Sequence, residues 1–195
     1  MNLLTQFIAF IDKENLFTRK DQLLLAVSGG VDSVALCELC HQAGYHFTIA
    51  HCNFKLRGEE SERDKNFVQQ LAKKYNVPFL LKEFDTENYA GEKKLSIQEA
   101  ARELRYDWFN ELIKKGEAKF LVTAHHLDDN IETMVMHFFR GTGIYGLRGM
   151  LPKQSHIVRP LLFARKQDLK AFAEQHQLSW VEDSSNAQDK YTRNY

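Results

Sequence analysis

The chain has 195 residues, 44% of them hydrophobic, enough for one substantial core and too few for two complete domains. Basic and acidic residues balance at 26 each, so net charge does not draw the protein to nucleic acid and any such contact must come from a local patch. Three cysteines make no disulfide framework and no run approaches the ~20 apolar residues that span a bilayer, so no membrane partner is expected and the reading is a soluble, cytoplasmic protein.

Met1 to Phe17 carries Asp12, Lys13 and Glu14 within a broken apolar pattern and reads as an amphipathic helix. Leu23 to Val27 is a buried apolar run, a first strand, which turns at Ser28-Gly29-Gly30-Val31-Asp32-Ser33 into a helix over Val34 to Gln42. Two glycines let backbone N–H groups approach an anion, and the start of the helix points its positive end at the same place. Ser28 and Ser33 add hydroxyl donors, and Asp32 can hold a Mg²⁺ that bridges phosphates. The hexapeptide therefore predicts a phosphate loop rather than a plain serine-capped turn. It lacks the lysine of a Walker loop, which favours attack at the α-phosphate with pyrophosphate leaving over γ-phosphoryl transfer. Cys37 and Cys40, in the following helix, have metal or redox spacing but no second pair to complete a zinc site, and read as core cysteines; Cys52 beside His51 lacks obvious partners.

Beyond Gly44, Tyr45 to His51 reads as a second strand, Glu59 to Tyr75 as a helix and Val77 to Leu81 as a third strand. Thr86 to Lys94 reads as a mobile loop. Ser96 to Lys115 is the clearest helix, with Ser96 and Glu99 at capping-box spacing and an apolar stripe through Ala100, Leu104, Trp108 and Leu112. Lys119 to Ala124 gives a fourth strand, Asp128 to Arg140 a helix, Ile157 to Leu162 a fifth strand and Arg165 to Gln177 a last helix. This alternation predicts an α/β fold, a doubly wound parallel sheet with helices on both faces, whose ligands bind beyond the carboxyl ends of the strands.

Ser28–Ser33 and His125–Glu132 both fall at such ends, so one site could use both. Spacings of four place His125 with Asp129, and Asp128 with Glu132, on common faces where the strand enters the helix. Carboxylates at a helix start are favoured by the dipole alone, whereas the adjacent pair His125 and His126 at the strand end points to function. His51 to Ser61 follows the second strand, and by composition is either a solvated loop or a ligand contact. Arg102 and Arg105 read by spacing as a charged helix face. Gly141 to Met150 is glycine-rich and basic with one tyrosine, which suits a lid, a connector or a single-stranded nucleic-acid contact. The polar tail Trp180 to Asn194 offers Arg193 to a phosphate.

The Ser-Gly-Gly-Val-Asp-Ser loop resembles the pyrophosphatase loop of the N-type ATP pyrophosphatases. The order of that loop, His51-Cys52-Asn53-Phe54-Lys55-Leu56-Arg57-Gly58, Glu99-Ala100-Ala101-Arg102-Glu103-Leu104-Arg105-Tyr106, Ala124-His125-His126-Leu127-Asp128-Asp129-Asn130-Ile131-Glu132-Thr133, Arg159-Pro160-Leu161-Leu162 and Glu182-Asp183-Ser184-Ser185-Asn186 through Arg193-Asn194 is similar to that of the tRNA(Ile)-lysidine synthase family. The resemblance runs from about Leu23 to Asn194.

It implies ATP and Mg²⁺ as cofactors, with an isoleucine tRNA bearing a CAU anticodon and free L-lysine as partners; a homodimer stays open. Ala26, Ser28, Gly29, Gly30, Val31, Asp32 and Ser33 would form the nucleotide set, with Asp32 on the metal and His51 and Asn53 near the adenosine. Asp32, Arg105, His125, Asp129 and Glu132 would be catalytic, and Arg102 and Arg193 would face phosphate. By the resemblance, residues 1–195 form a catalytic domain, and family members continue past the Tyr191-x-Arg193-Asn194 segment into domains that grip tRNA, so this chain is expected to be a piece of such a protein. A tRNA thiolase, a small-molecule amidating synthetase and a non-catalytic ATP-binding module remain the alternatives.

Overall fold

The computed structural model describes residues 2–139 and 148–182. Arg140 to Leu147, with most of the glycine-rich loop, and the tail from Asp183 that includes Arg193 lie outside the described residues.

Among the described residues six strands form one sheet in the order β3-β2-β1-β4-β6-β5. These are β1 (Leu23–Ala26), β2 (Phe47–Asn53), β3 (Phe79–Glu83), β4 (Phe120–Val122), β5 (Lys153–Gln154) and β6 (Ile157–Val158). β1 lies between β2 and β4, parallel to both, with Leu23 opposite Phe47 on one side and Phe120 on the other. Among the described residues only the β5–β6 hairpin is antiparallel. The predicted strand Ile157 to Leu162 is thus two residues of β6 plus one bridge from Leu161 to His126, because Pro160 has no N–H to continue a ladder.

Strand residues alternate between two cores. Leu23, Leu25, Ile49 and Val122 face α1 (Leu3–Lys13), α2 (Val31–Gln42), α3 (Glu59–Tyr75) and α7 (Lys166–Gln175). Leu24, Ala50 and Leu121 face Trp108, Phe109 and Leu112 of α5 (Ile97–Lys114). Helices on both faces explain why the central strands are apolar throughout instead of alternating with polar residues. α2 is buried on nearly every side, from Ser33 to Cys40, since it is wedged between the sheet, α1 and α7. The predicted doubly wound fold is therefore present.

Thr86 to Lys94 is not a loop but the helix α4 (Thr86–Lys93). Asp85 caps it by accepting from Asn88 N, the buried Thr86 Oγ1 donates to Phe54 O at 2.9 Å, and Lys94 ends it in a left-handed conformation. Polar composition hid these caps. α5 carries the predicted capping box, with Ser96 and Glu99 bonded reciprocally.

Candidate functional site

The chain leaves β1 at the point where the connections diverge, to β2 on one side and to β4 on the other. A cleft of about 250 Å³ opens there beyond the strand ends, floored by Ala26, Ser28, Gly30, Asp32 and Ser33. Cys52 near the end of β2, Phe54 just after it, Arg105 and Tyr106 of α5, and His125 after β4 form its walls.

The loop that floors it is held in one shape by its own side chains. Ser33 Oγ accepts from Gly29 N at 3.1 Å and donates to Gly30 O at 2.9 Å, while Ser28 Oγ accepts from Gly30 N at 3.3 Å. Gly29 has φ +100°, and a Cβ there would lie 2.7 Å from Val181 Cγ2, so only glycine fits. Helix α2 begins at Val31, earlier than its predicted start at Val34, so the loop's last three residues are its first turn and their N–H groups lack helical acceptors. Asp32 Oδ1 is buried without a hydrogen-bond partner.

A lone buried carboxylate oxygen at an anion-receiving helix start suits a cation that arrives with phosphates. Among the described residues no group of three or more His, Cys, Asp or Glu side chains is placed to hold a metal ion.

A second cleft of about 520 Å³ adjoins the first, and His125 and Tyr106 border both. Asp129 and Glu132 on α6 (Leu127–Phe139) face it, as do Arg102, Arg148 and Arg159. Arg159 is 7% exposed, its Nη1 donates to Leu151 O at 2.8 Å, and its Nε is buried without a hydrogen-bond partner. Arg102 lies over the Tyr106 ring and Arg105 over the Phe54 ring, with cation-to-centroid distances of 5.0 and 5.2 Å. Both arginines are exposed, and the charged helix face that spacing suggested is the face that borders the clefts.

His125 Nδ1 pairs with Thr123 Oγ1 at 2.8 Å. Burial pushes its pKa down, Asp129 pulls it up, and Arg159, Arg102 and Arg105 push it down again, leaving a net fall and a neutral ring at pH 7. His126, which the resemblance leaves out of the catalytic set, is 3% exposed and surrounded by carboxylates. Its ring nitrogens lie 3.7 Å from Asp32, 3.5 Å from Asp128 and 3.6 Å from Asp129. Burial opposes its protonation, yet Asp32, Asp129 and Asp128 together outweigh burial and raise its pKa. The signal was present in the sequence, since a second histidine two and three residues before paired aspartates meets them at the first helical turn.

Two expected nucleotide contacts point elsewhere. Alternation along β2 sends Ala50 and Cys52 to the cleft, and His51 and Asn53 to the opposite face. His51 Nδ1 bonds Val27 O at 2.8 Å, and Asn53 donates to Glu62 at 3.1 Å and accepts from Lys55 N. Cys37 and Cys40 are fully buried and free, and burial pushes both thiols well up. Cys52 reaches the cleft with its pKa pushed up to about 12 by burial, so none of the three is an activated nucleophile.

Residues 2–195 match the family model described as the PP-loop domain. Among curated proteins, the chain is 49% identical over 187 residues to the tRNA(Ile)-lysidine synthase of Bacteroides thetaiotaomicron, covering 96% of this chain and 44% of that protein. It is 42% identical to that of Thermosipho africanus, covering 100% and 46%, and 38% identical to that of Bacillus subtilis, covering 95% and 41%. The chain thus spans less than half the length of these three relatives. Among solved structures it resembles the U34-tRNA thiolase NcsA of Methanococcus maripaludis with its [4Fe-4S] cluster, at a TM-score of 0.74 and 15% identity over 92% of this chain and 64% of that one. It also resembles the NH3-dependent NAD synthetase of Campylobacter jejuni, at a TM-score of 0.61 and 14% identity over 97% and 76%. These two likenesses bear on the fold alone.

Proposed function

The chain belongs to the PP-loop domain family, and from that membership we propose that it is the ATP-using catalytic domain of a tRNA(Ile)-lysidine synthase. In this reading the wobble cytidine of an isoleucine tRNA with a CAU anticodon is adenylated and then attacked by free lysine. The O2 oxygen of the cytosine attacks the α-phosphorus of ATP, and pyrophosphate leaves. The ε-amine of lysine then attacks C2, and AMP departs with that oxygen.

The observation that carries the reading is the junction of the two clefts at His125 and Tyr106. One cleft has donors for a triphosphate, from the loop and the first turn of α2. The other has carboxylates and guanidiniums together, which matches lysine, a molecule with a cationic end and an anionic one. Asp129 and Glu132 would receive the ammonium and accept the proton it must lose before the amine can attack. The buried Arg159 would face the α-carboxylate. Arg105 would approach the activated base, and the neutral His125 would stand between nucleotide and amine without repelling the lysine cation. Ser28, Gly30, Val31 and Ser33 would neutralise phosphate, and Asp32 would hold Mg²⁺. That ion, when bound with ATP, offsets negative charge on the departing pyrophosphate.

Arg102 faces the second cleft, where it would meet the phosphate backbone at the wobble nucleotide. We place the protein in the cytoplasm, where ATP, lysine and tRNA occur together. No helix among the described residues is long and apolar enough to cross a membrane.

The test is ATP-dependent transfer of radiolabelled lysine to isoleucine tRNA with a CAU anticodon, beside the Asp32→Ala variant. Label in the tRNA with the unaltered chain and none with the variant is expected. AMP release that depends on a different acceptor, with no lysine incorporated, would overturn the reading.

A further inference from the structure

The phosphate loop is gripped from its far side by two groups that belong to neither cleft. His51 projects from β2 away from the first cleft, 4% exposed, with Nδ1 2.8 Å from Val27 O. A carbonyl only accepts, so Nδ1 carries the ring proton and Nε2 is the unprotonated nitrogen. Nε2 is buried and without a hydrogen-bond partner. At the other end of the loop, Val181 N donates to Gly29 O at 3.0 Å. Val181 follows Trp180, which packs against the main core after α7, so this second grip is anchored in the body of the protein.

In a trans peptide the C=O and the following N–H point in opposite directions. Holding Val27 O on the far side turns the N–H of Ser28 to the near side, and holding Gly29 O does the same for Gly30. We infer that His51 and the Val181 N–H are positioning groups that fix these two peptide planes, so that the Ser28 N–H, and the Gly30 N–H that Ser28 Oγ holds at 3.3 Å, point to the side where the phosphates of ATP would lie. The role rests on the phosphate-binding part of the proposed function and is independent of which acceptor is adenylated. It also gives His51 a task away from the adenosine.

The consequence is selective. A loop with a loosened peptide plane binds polyphosphate poorly but leaves an adenosine pocket intact, so affinity for adenosine and for inorganic pyrophosphate should part company. Each binding constant is measured by titration calorimetry or ligand-detected NMR on the full 195-residue chain. In His51→Leu, pyrophosphate and ATP bind about tenfold more weakly, the size expected for one well-placed donor, while adenosine binds as before. His51→Asn restores most of the affinity, because the asparagine amide can put an N–H where Nδ1 stood. Val181→Ala keeps its backbone N–H and stays near the unaltered protein in pyrophosphate affinity, whereas Val181→Pro, which lacks that N–H, resembles His51→Leu. Equal weakening of adenosine and pyrophosphate in His51→Leu would overturn the assignment, as would an asparagine variant no better than leucine. Unchanged pyrophosphate affinity in His51→Leu would overturn it too. If all nucleotide binding is absent in the unaltered chain, the functional reading fails instead.

Discussion

His126 Nε2 stands 3.7 Å from Asp32 Oδ2, joining the second half of the site to the phosphate loop across 94 residues of sequence. Asp32 opens α2 and His126 closes the approach to α6, so the two helix starts meet over one carboxylate.

Replacing Asp32 with Asn should lower AMP formation by at least about 100-fold, as expected for losing a group that organises charge at the departing pyrophosphate. Oδ1 has no protein hydrogen-bond partner to lose, but Oδ2 faces His126 Nε2 at 3.7 Å and helps to raise its pKa, so the His126 pKa should fall in the variant. Turnover within tenfold of the unaltered protein would remove Asp32 from the chemistry.

Gly29→Ala combines strain at φ +100° with a Cβ 2.7 Å from Val181 Cγ2. It should destabilise the protein by about 3 kcal/mol in urea unfolding and weaken ATP binding in step. A loss below about 0.5 kcal/mol would show that the Val181 segment gives way freely.

Glu132→Gln and Arg159→Leu should separate the two half-reactions. Each is expected to raise the KM for lysine by about 10–100-fold while leaving tRNA-dependent pyrophosphate release within a few-fold, since both side chains face the second cleft and not the first. Equal damage to pyrophosphate release and lysine transfer would place them at the nucleotide.

Stability should fall as pH drops below about 6.5, and His51 should account for part of the fall. Burial holds its pKa below the ordinary 6.5, against the Val27 carbonyl and the nearby Asp64, which raise it, and with Lys65, which lowers it. A histidine whose folded pKa is depressed contributes fully above the unfolded value and loses that contribution as pH falls toward the folded one. Urea midpoints at several pH values between 7.5 and 5 should therefore slope less for His51→Asn, and parallel slopes would exclude the ring as the titrating group.

Thr86→Val should cost about 1–2 kcal/mol, because Phe54 O would be left without the 2.9 Å bond from a hydroxyl that is 1% exposed. Melting at the unaltered temperature would show that α4 does not depend on this contact.

Thr86 also marks where the sequence was hard to read. Its segment has few apolar residues, and what makes it helical is a cap from Asp85 and a bond to Phe54, 32 positions earlier. The long helices α3 and α5 were legible to within a residue or two, because their apolar spacing and the Ser96–Glu99 box are local signals. Legibility of the site divided in the same way. The loop's glycines and the His125–Glu132 spacing announce themselves, but the faces of His51 and Asn53 depend on strand register, and a shift of one residue reverses them. His126 could be chosen over His125 as the partner of Asp32 only once β1 and β4 were known to be neighbours.

That adjacency of β1 and β4 also governs how the site comes into being. Leu23 pairs with Phe120, and Lys119 reaches Asp21 across 98 positions, so the two strands meet only after a long loop has closed. β1, α2, β2, α3 and β3 can associate earlier through nearer contacts, with the phosphate loop already among them. His125, His126, Asp129 and Glu132 join when β4 docks, late in folding and at the slow step that such distant parallel pairing imposes. A newly made chain would therefore hold β1, α2 and β2 together, with His51 beside the loop but the Val181 grip on Gly29 O still to come, before it could commit ATP to reaction, and nucleotide binding across the completed junction would draw the folding equilibrium toward the finished sheet.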